Sequence, residues 1–278
     1  MAMPDPAPAL EAELGTKVEA VRAALRRHAA VVVAFSGGAD SALLAWLAHD
    51  TLGPQRARAV TAVSPSLAPE EEQDCAALAA EWGLTWERVQ TDELANPAYR
   101  LNDGQRCFHC KTSLMEAIEP HRGGATVVLG VNRDDLGDHR PGQTAAAEHG
   151  AVFPFVEADL TKDEVRAISR RLGLRTWDKP AAACLASRLP YGTPVTMVTL
   201  RSVAVAESGL RALGLRSLRV RHYGELARIE VPLGDLAAVV AQRGEVVAAV
   251  RAAGYEYVTL DLEGLRSGNL NHALGPRS

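Results

Sequence analysis

Residues 31–41 read VVVAFSGGADS. A run of apolar, β-branched residues suits a strand covered on both faces, as in the middle of a parallel sheet. The run stops in a loop of Ser36, Gly37, Gly38, Ala39, Asp40 and Ser41, and the helical pattern SALLAWLAHD follows over residues 41–50. Two glycines let a backbone approach a ligand closely, and the N–H groups that open a helix point at an anion. Ser36 and Ser41 add hydroxyl donors. Asp40 would repel a bare phosphate but suits a Mg²⁺ that bridges phosphates. No G-x-x-x-x-G-K-[ST] is present, and the missing lysine argues against ordinary γ-phosphoryl transfer. The competing reading of the same residues is a tight βα turn with Ser41 capping the helix.

Outward from this loop, helices and strands alternate. A helix is expected over Ala9–His28 and the first strand over Ala30–Phe35. A second strand follows over Arg58–Val63, then a helix opened by Pro69 and three glutamates that suit its positive end. TWERVQTD (85–92) reads as a third strand, and ATVVLGVN (125–132) as a fourth that ends in Gly130 and Asn132. The alternation indicates a doubly wound, mainly parallel α/β sheet. Thr161–Leu172 is a further helix, with a capping box of Thr161 and Glu164. The stretch DKPAAACLASRLPYGTPVT (178–196) carries three prolines, so the expected division is 1–189 and 190–278. The second part reads as a smaller α+β domain with a largely antiparallel sheet. Its elements are a helix (Thr196–Leu213), two strands (Ser217–His222, Ala227–Val231), one helix (Leu233–Ala253) and a strand (Tyr257–Leu262).

The 278 residues can bury a substantial core. Thirty basic against 34 acidic residues give a net charge of −4, which argues against bulk nucleic-acid binding. There is no run of about eighteen apolar residues, so no membrane span is expected. The opening MAMPDPAPALEAELG lacks the basic-then-apolar order of a secretory signal. Four cysteines in such a chain are no disulfide framework, and the expectation is a reduced, cytoplasmic protein.

Ser36–Ser41 resembles the SGGxDS signature of the PP-loop ATP pyrophosphatases, which have an adenine nucleotide α-hydrolase-like fold. These enzymes cleave ATP between its α and β phosphates and adenylate an oxygen that a nitrogen or sulfur nucleophile then displaces. The resemblance implies that Ser36, Gly37, Gly38, Asp40 and Ser41 grip pyrophosphate and Mg²⁺, that Ser64 lies near the adenosine, and that Gly130 closes the ATP pocket. RCFHCK (106–111), GVNRDDLGDHRPG (130–142) and WDKPAAACLASRLPYGTPVT (177–196) narrow the choice. With these stretches the chain resembles the LarE family, ATP-dependent sulfur transferases of nickel-pincer cofactor synthesis for lactate racemase. The implied substrate is a pyridinium-3,5-dicarboxylate mononucleotide whose carboxylates are adenylated and become thiocarboxylates. Family resemblance also implies a homo-oligomer, a hexamer, and pathway partners that build the cofactor and insert nickel. Competing readings are a tRNA thiolase, an ammonia-using synthetase, and an ATP-binding protein without turnover.

A carboxylate joined to AMP gains a good leaving group, and a thiolate is its natural attacker where nearby cations lower its pKa. Cys184 is the candidate, five residues after Lys179 and four before Arg188. A buried, inert cysteine is the alternative there, and it is the reading adopted for Cys75. For the sulfur source, the family implies either sacrifice of Cys184 itself or a [4Fe-4S] cluster held by Cys107, Cys110 and Cys184. Cys107 and Cys110 also fit a zinc site, a redox disulfide or plain packing. Asp134, Asp135 and Asp138 follow the fourth strand; Asp135 is the candidate for a metal-binding or orienting role at the reaction centre. Arg140 is a candidate for substrate phosphate. By resemblance, Arg188, Arg219 and Arg221 anchor the nucleotide 5′-phosphate, with Glu207 and Asp235 as weaker metal candidates.

Overall fold

The computed structural model describes residues 6–137, 141–180 and 183–266. The strands are β1 (Val31–Ala34), β2 (Ala57–Val63), β3 (Thr85–Gln90), β4 (Thr126–Val128), β5 (Arg219–Tyr223), β6 (Leu226–Glu230) and β7 (Tyr257–Leu260). Helices up to the prolines are α1 (Pro6–Arg26), α2 (Ala39–Leu52), α3 (Pro69–Trp82), α4 (Pro97–Arg100), α5 (Arg106–Ile118), α6 (Pro141–Glu148), α7 (Pro154–Glu157) and α8 (Lys162–Arg171). After them come α9 (Met197–Ala212), α10 (Leu236–Ala241) and α11 (Arg243–Ala252).

The chain divides into two compact units. The first takes in residues 1–63, 70–91 and 107–182; the second comprises 64–69, 92–106 and 183–278. The second thus gathers two early segments as well as the residues beyond Leu189.

In the first unit four strands lie in the order β3-β2-β1-β4, all parallel. Alternation along β1 sends its side chains to two cores. Val31 and Val33 join residues of α1, α2 and α8, while Val32 joins Leu114, Met115 and Ile118 of α5. Helices therefore cover both faces, the doubly wound arrangement expected. The α2 helix is apolar nearly all round, with Leu43, Leu44 and Leu47 fully buried, because α1 and α8 pack against it. The capping box at Thr161 is formed: Glu164 N donates to the Thr161 hydroxyl at 3.2 Å, and Thr161 N donates to the Glu164 carboxylate at 2.8 Å.

The second unit holds a three-stranded sheet, β5-β6-β7, backed by α9 and α11. Two expectations are corrected here. The sheet is mixed, with β5–β6 antiparallel and β6–β7 parallel. A parallel neighbour needs a long crossover, and α10 with α11 supplies it. The single helix expected over Leu233–Ala253 is a short 3₁₀ turn followed by two helices, which meet at Gln242 (φ −98°, ψ 23°). Gly244, just beyond, weakens the helix at that point.

Candidate active site

The chain leaves β1 for β2 and β3 on one side and returns to β4 on the other. Between β1 and β4 the sheet therefore has its topological switch point, where open α/β sheets take ligands beyond the strand ends. Ser36–Ser41 follows β1 at that point. Ser36 N donates to the Ser41 hydroxyl at 3.2 Å, the two hydroxyls lie 3.1 Å apart, and the Ser41 hydroxyl donates to Gly38 O at 3.2 Å. The loop is tied to itself. Ser41 lies inside α2 rather than capping it; Gly38 is the N-cap, and no side chain caps this end. Gly37 needs its left-handed backbone (φ +68°), and a Cβ there would stand 3.0 Å from Cys75 Sγ.

Asp40 reaches out of the first turn of α2. Its Oδ1 accepts from Asn132 Nδ2 at 3.0 Å, and its Oδ2 is paired with Lys162 Nζ. Lys162 opens α8, and its N–H donates to Asp134 at 2.8 Å. Asp135 accepts from Asn132 N at 3.1 Å, so it orients the residue that orients Asp40. Gly130 presses on the same spot. A Cβ there would lie 2.8 Å from the Asp40 carbonyl carbon and 2.9 Å from Ser41 N. Asp40, Gly130 and Asp135 thus come together as expected candidates, joined by Asn132, Asp134 and Lys162, which sequence reasoning did not select. Asn132 could have been found, because it ends the fourth strand; Lys162 carried no signal beyond its place in a capped helix.

Lys179 lies beside the same loop. Its ammonium sits 3.7 Å from where a Gly37 Cβ would be, 2.6 Å from Asp74 and 2.7 Å from Glu71. Burial disfavours its charge, but the hydrogen bonds to Asp74 and Glu71 outweigh burial and hold its pKa above the usual value. Asp74 is likewise pushed up by burial, and Lys179 and Arg175 outweigh that and hold it below the ordinary carboxylate range. Of the two cations near Cys184 in sequence, Lys179 is thus paired with these two acids. Cys75 is buried, and burial pushes its thiol up to about 11, in keeping with packing.

Cys107 and Cys110 stand in the first turns of α5, one exposed and one half-buried. A Cβ on Gly142 would lie 2.9 Å from Cys107 O, so α6 approaches α5 closely there. Arg140 and Asp138 lie outside the described residues. Among the described residues, no three His, Cys, Asp or Glu side chains are grouped so as to hold a metal.

In the second unit, Ser64 donates to buried Glu93 at 2.6 Å and accepts from Ser66 N at 3.1 Å. Cys184 is half-buried. Its carbonyl accepts from Ser187 N at 2.9 Å. Arg188 donates through Nη1 to Ala183 O at 2.6 Å and Cys184 O at 3.4 Å, and through Nε to Glu207 at 2.7 Å. Glu207 is fully buried and also accepts from Arg211 at 2.8 Å and Val220 N at 3.0 Å. Its oxygens are occupied by these donors. Asp235, half-buried, opens α10 through a turn onto Pro232 O. Arg221, 3% exposed, donates to Glu230 and to Ser187 O, both at 2.8 Å. Arg219 shares its strand face with Arg221. Burial first, then the charges of Arg221 and Arg188, hold its pKa below the ordinary value. Three of the four expected arginines are thus gathered, two of them already paired with the buried carboxylates of Glu207 and Glu230.

A family model described as NAD synthase matches residues 13–107, the segment that carries β1 to β3 and the Ser36–Ser41 loop. An uncharacterised protein of Synechocystis sp. is 47% identical over 266 residues, covering 94% of this chain and 99% of that protein. The pyridinium-3,5-bisthiocarboxylic acid mononucleotide synthase of Lactiplantibacillus plantarum is 37% identical over 266 residues, 95% of this chain and 96% of that protein. The chain belongs to the LarE family. An uncharacterised protein of Methanocaldococcus jannaschii is 25% identical over 240 residues, 85% of this chain and 91% of that protein. The doubly wound unit and its loop are thus those of a PP-loop member of the LarE family. Among the described residues no helix is long and apolar enough to cross a membrane.

Proposed function

We propose that this chain is an ATP-dependent sulfur transferase that converts the carboxylates of pyridinium-3,5-dicarboxylate mononucleotide into thiocarboxylates for a nickel-pincer cofactor. The reading is supported by similarity to the Lactiplantibacillus plantarum synthase, and the observation that carries it is the self-tied Ser36–Ser41 loop at the switch point. The loop N–H groups and the Ser36 and Ser41 hydroxyls receive the β and γ phosphates. Asp40 is an anionic oxygen donor at the mouth of α2, a hard ligand that fits Mg²⁺; the bound ion would neutralise phosphate charge. A substrate carboxylate oxygen attacks the α phosphorus, pyrophosphate leaves, and an acyl-adenylate forms. Sulfur then attacks the acyl carbon and AMP leaves. Arg188, Arg219 and Arg221, gathered in the second unit, hold the substrate 5′-phosphate; Arg140 is a separate candidate for substrate phosphate.

Cys184 supplies the sulfur. Its thiolate forms a thioester, then loses its Cα proton and its C–S bond, leaving dehydroalanine on the protein and sulfur on the product. The second reading is a [4Fe-4S] cluster on Cys107, Cys110 and Cys184, favoured by the two thiols one turn apart on α5. Three thiolates are chemically apt ligands for it; Cys107 and Cys110 belong to the first unit and Cys184 to the second, and no step is assigned to a cluster. The working form is a homo-oligomer, which hands its product to the nickel-inserting protein of the pathway.

Incubation with MgATP and the dicarboxylate nucleotide, following AMP, pyrophosphate and thiocarboxylate, tests the proposal. Pyrophosphate without sulfur incorporation would keep the ATP chemistry and reject sulfur transfer. A 34 Da loss confined to the Cys184 peptide, matching one H₂S by elementary mass arithmetic, selects the sacrificial route; iron and acid-labile sulfide in anaerobically prepared protein select the cluster.

A further inference from the structure

Asn102 is fully buried and holds left-handed backbone, φ +54°, without being glycine. Asn tolerates that region better than most residues, and its side chain can make up the cost through hydrogen bonds. Here Nδ2 donates to Pro190 O and Thr193 O, each at 2.8 Å. Its Oδ1 accepts from Arg106 Nη1 at 2.6 Å, and that nitrogen also donates to Ala186 O at 2.9 Å. The main chain adds Gly192 N to Asn102 O at 3.0 Å and Val195 N to Arg100 O at 2.9 Å. At the other end of the loop, Leu185 N donates to Ser66 O at 2.8 Å, and the Ser66 hydroxyl lies 2.7 Å from Tyr99 OH. All these residues lie in the second unit. Carbonyls that a loop ordinarily gives to water are here bound by groups from residues 100–106. Cys184 begins the stretch so held.

We infer that Asn102, acting with Arg106, is a positioning residue for Cys184. It holds the 184–195 loop, with the thiol at its start, in one conformation within the second unit. The inference rests on the reading of Cys184 as the sulfur-bearing residue. Asn102 itself touches no reacting atom. Simple loop closure would need only apolar packing, whereas a fully bonded amide among carbonyls fixes direction as well as place. A misplacement of about 1 Å at a reacting atom costs on the order of a hundredfold in rate.

Two variants test it. Asn102→Gly keeps the left-handed backbone and removes the amide; Asn102→Asp keeps the shape and puts an acceptor where carbonyls need a donor. First-turnover pyrophosphate and thiocarboxylate are measured together with MgATP and the dicarboxylate nucleotide. Iodoacetamide labelling of the free protein is followed peptide by peptide, with buried Cys75 as the check on folding of the first unit and amide exchange of β5 and β6 as the check on the second. In both variants pyrophosphate should stay within about threefold of the parent while thiocarboxylate falls about 30-fold or more. Cys184 should be alkylated about tenfold faster, with Cys75 still protected. Unchanged thiocarboxylate overturns the inference. So does loss of β5–β6 amide protection in Asn102→Gly, or a parallel fall of both products with Cys75 exposed, since Asn102 would then be only a folding residue. If the parent protein makes no thiocarboxylate, the sulfur-transfer reading fails on its own, and the ratio of Cys184 to Cys75 labelling still decides whether Asn102 holds the loop.

Discussion

The loop after β1 and the loop that begins at Cys184 do comparable work by opposite means. Ser36–Ser41 is held by its own neighbours: hydroxyl to hydroxyl, hydroxyl to backbone, glycine where a Cβ would collide. The Cys184 loop is held by residues far along the chain. Asn102 reaches it across 88 and 91 positions, Arg106 across 80 and Arg221 across 34. A phosphate cradle can be local because it presents mainly backbone N–H groups. On the proposed sulfur transfer, the Cys184 thiol would have to reach a second group, and its place is fixed by the fold.

Predictions that break or sharpen this contrast run from the largest effect down. Glu207→Gln leaves Arg188 and Arg211 without their buried counter-charge. It should cost about 3–5 kcal/mol in chemical denaturation, and thiocarboxylate yield should fall further than first-turnover pyrophosphate. An equal fall in both would erase the separation of the two loops. Asp40→Ala should lower pyrophosphate release about a hundredfold, ~2.7 kcal/mol, leaving Cys184 alkylation unchanged.

Gly130→Ala puts a methyl group within 2.8–2.9 Å of the Asp40 and Ser41 backbone. An increase of about tenfold in Kd for MgATP, ~1.4 kcal/mol, is expected in titration calorimetry. Gly224→Ala, at a left-handed turn with open space, should lower stability without changing that Kd. The smallest effect is in pH dependence. Asp74 titrates below its ordinary value of 3.8 in the folded chain, so its stabilising contribution is present above that pH and is lost as pH falls through the lower folded value. Thermal melts of the parent and Asp74→Asn should therefore differ at pH 7 and converge in strong acid. A gap that widened on acidification would reverse the assignment.

The same contrast explains what the sequence revealed. The β1 run, the six-residue loop and the Thr161–Glu164 cap are patterns of near neighbours, and each appears where the residues placed it. The partnership of Asp40 with Lys162 spans 122 positions, and no local pattern announces it. The pairs that Lys179 makes with Glu71 and Asp74 on α3 span 108 and 105 positions and are equally silent in the sequence. The helix that carries Cys107 and Cys110 was not assigned from sequence, since its apolar residues Leu114, Met115 and Ile118 gather in its second half. The direction of β7 was equally hidden: its residues suit either partner, and only the crossover through α10 and α11 makes it parallel.

Gly130 has a consequence for how nucleotide enters. With the tip of the fourth strand seated against main-chain atoms at Asp40 and Ser41, the first turn of α2 has nowhere to recoil on that side. Accommodation falls to side chains that can swing, above all Lys162, while the peptide frame stays put. A phosphate chain seated there would have to fit the frame as it stands.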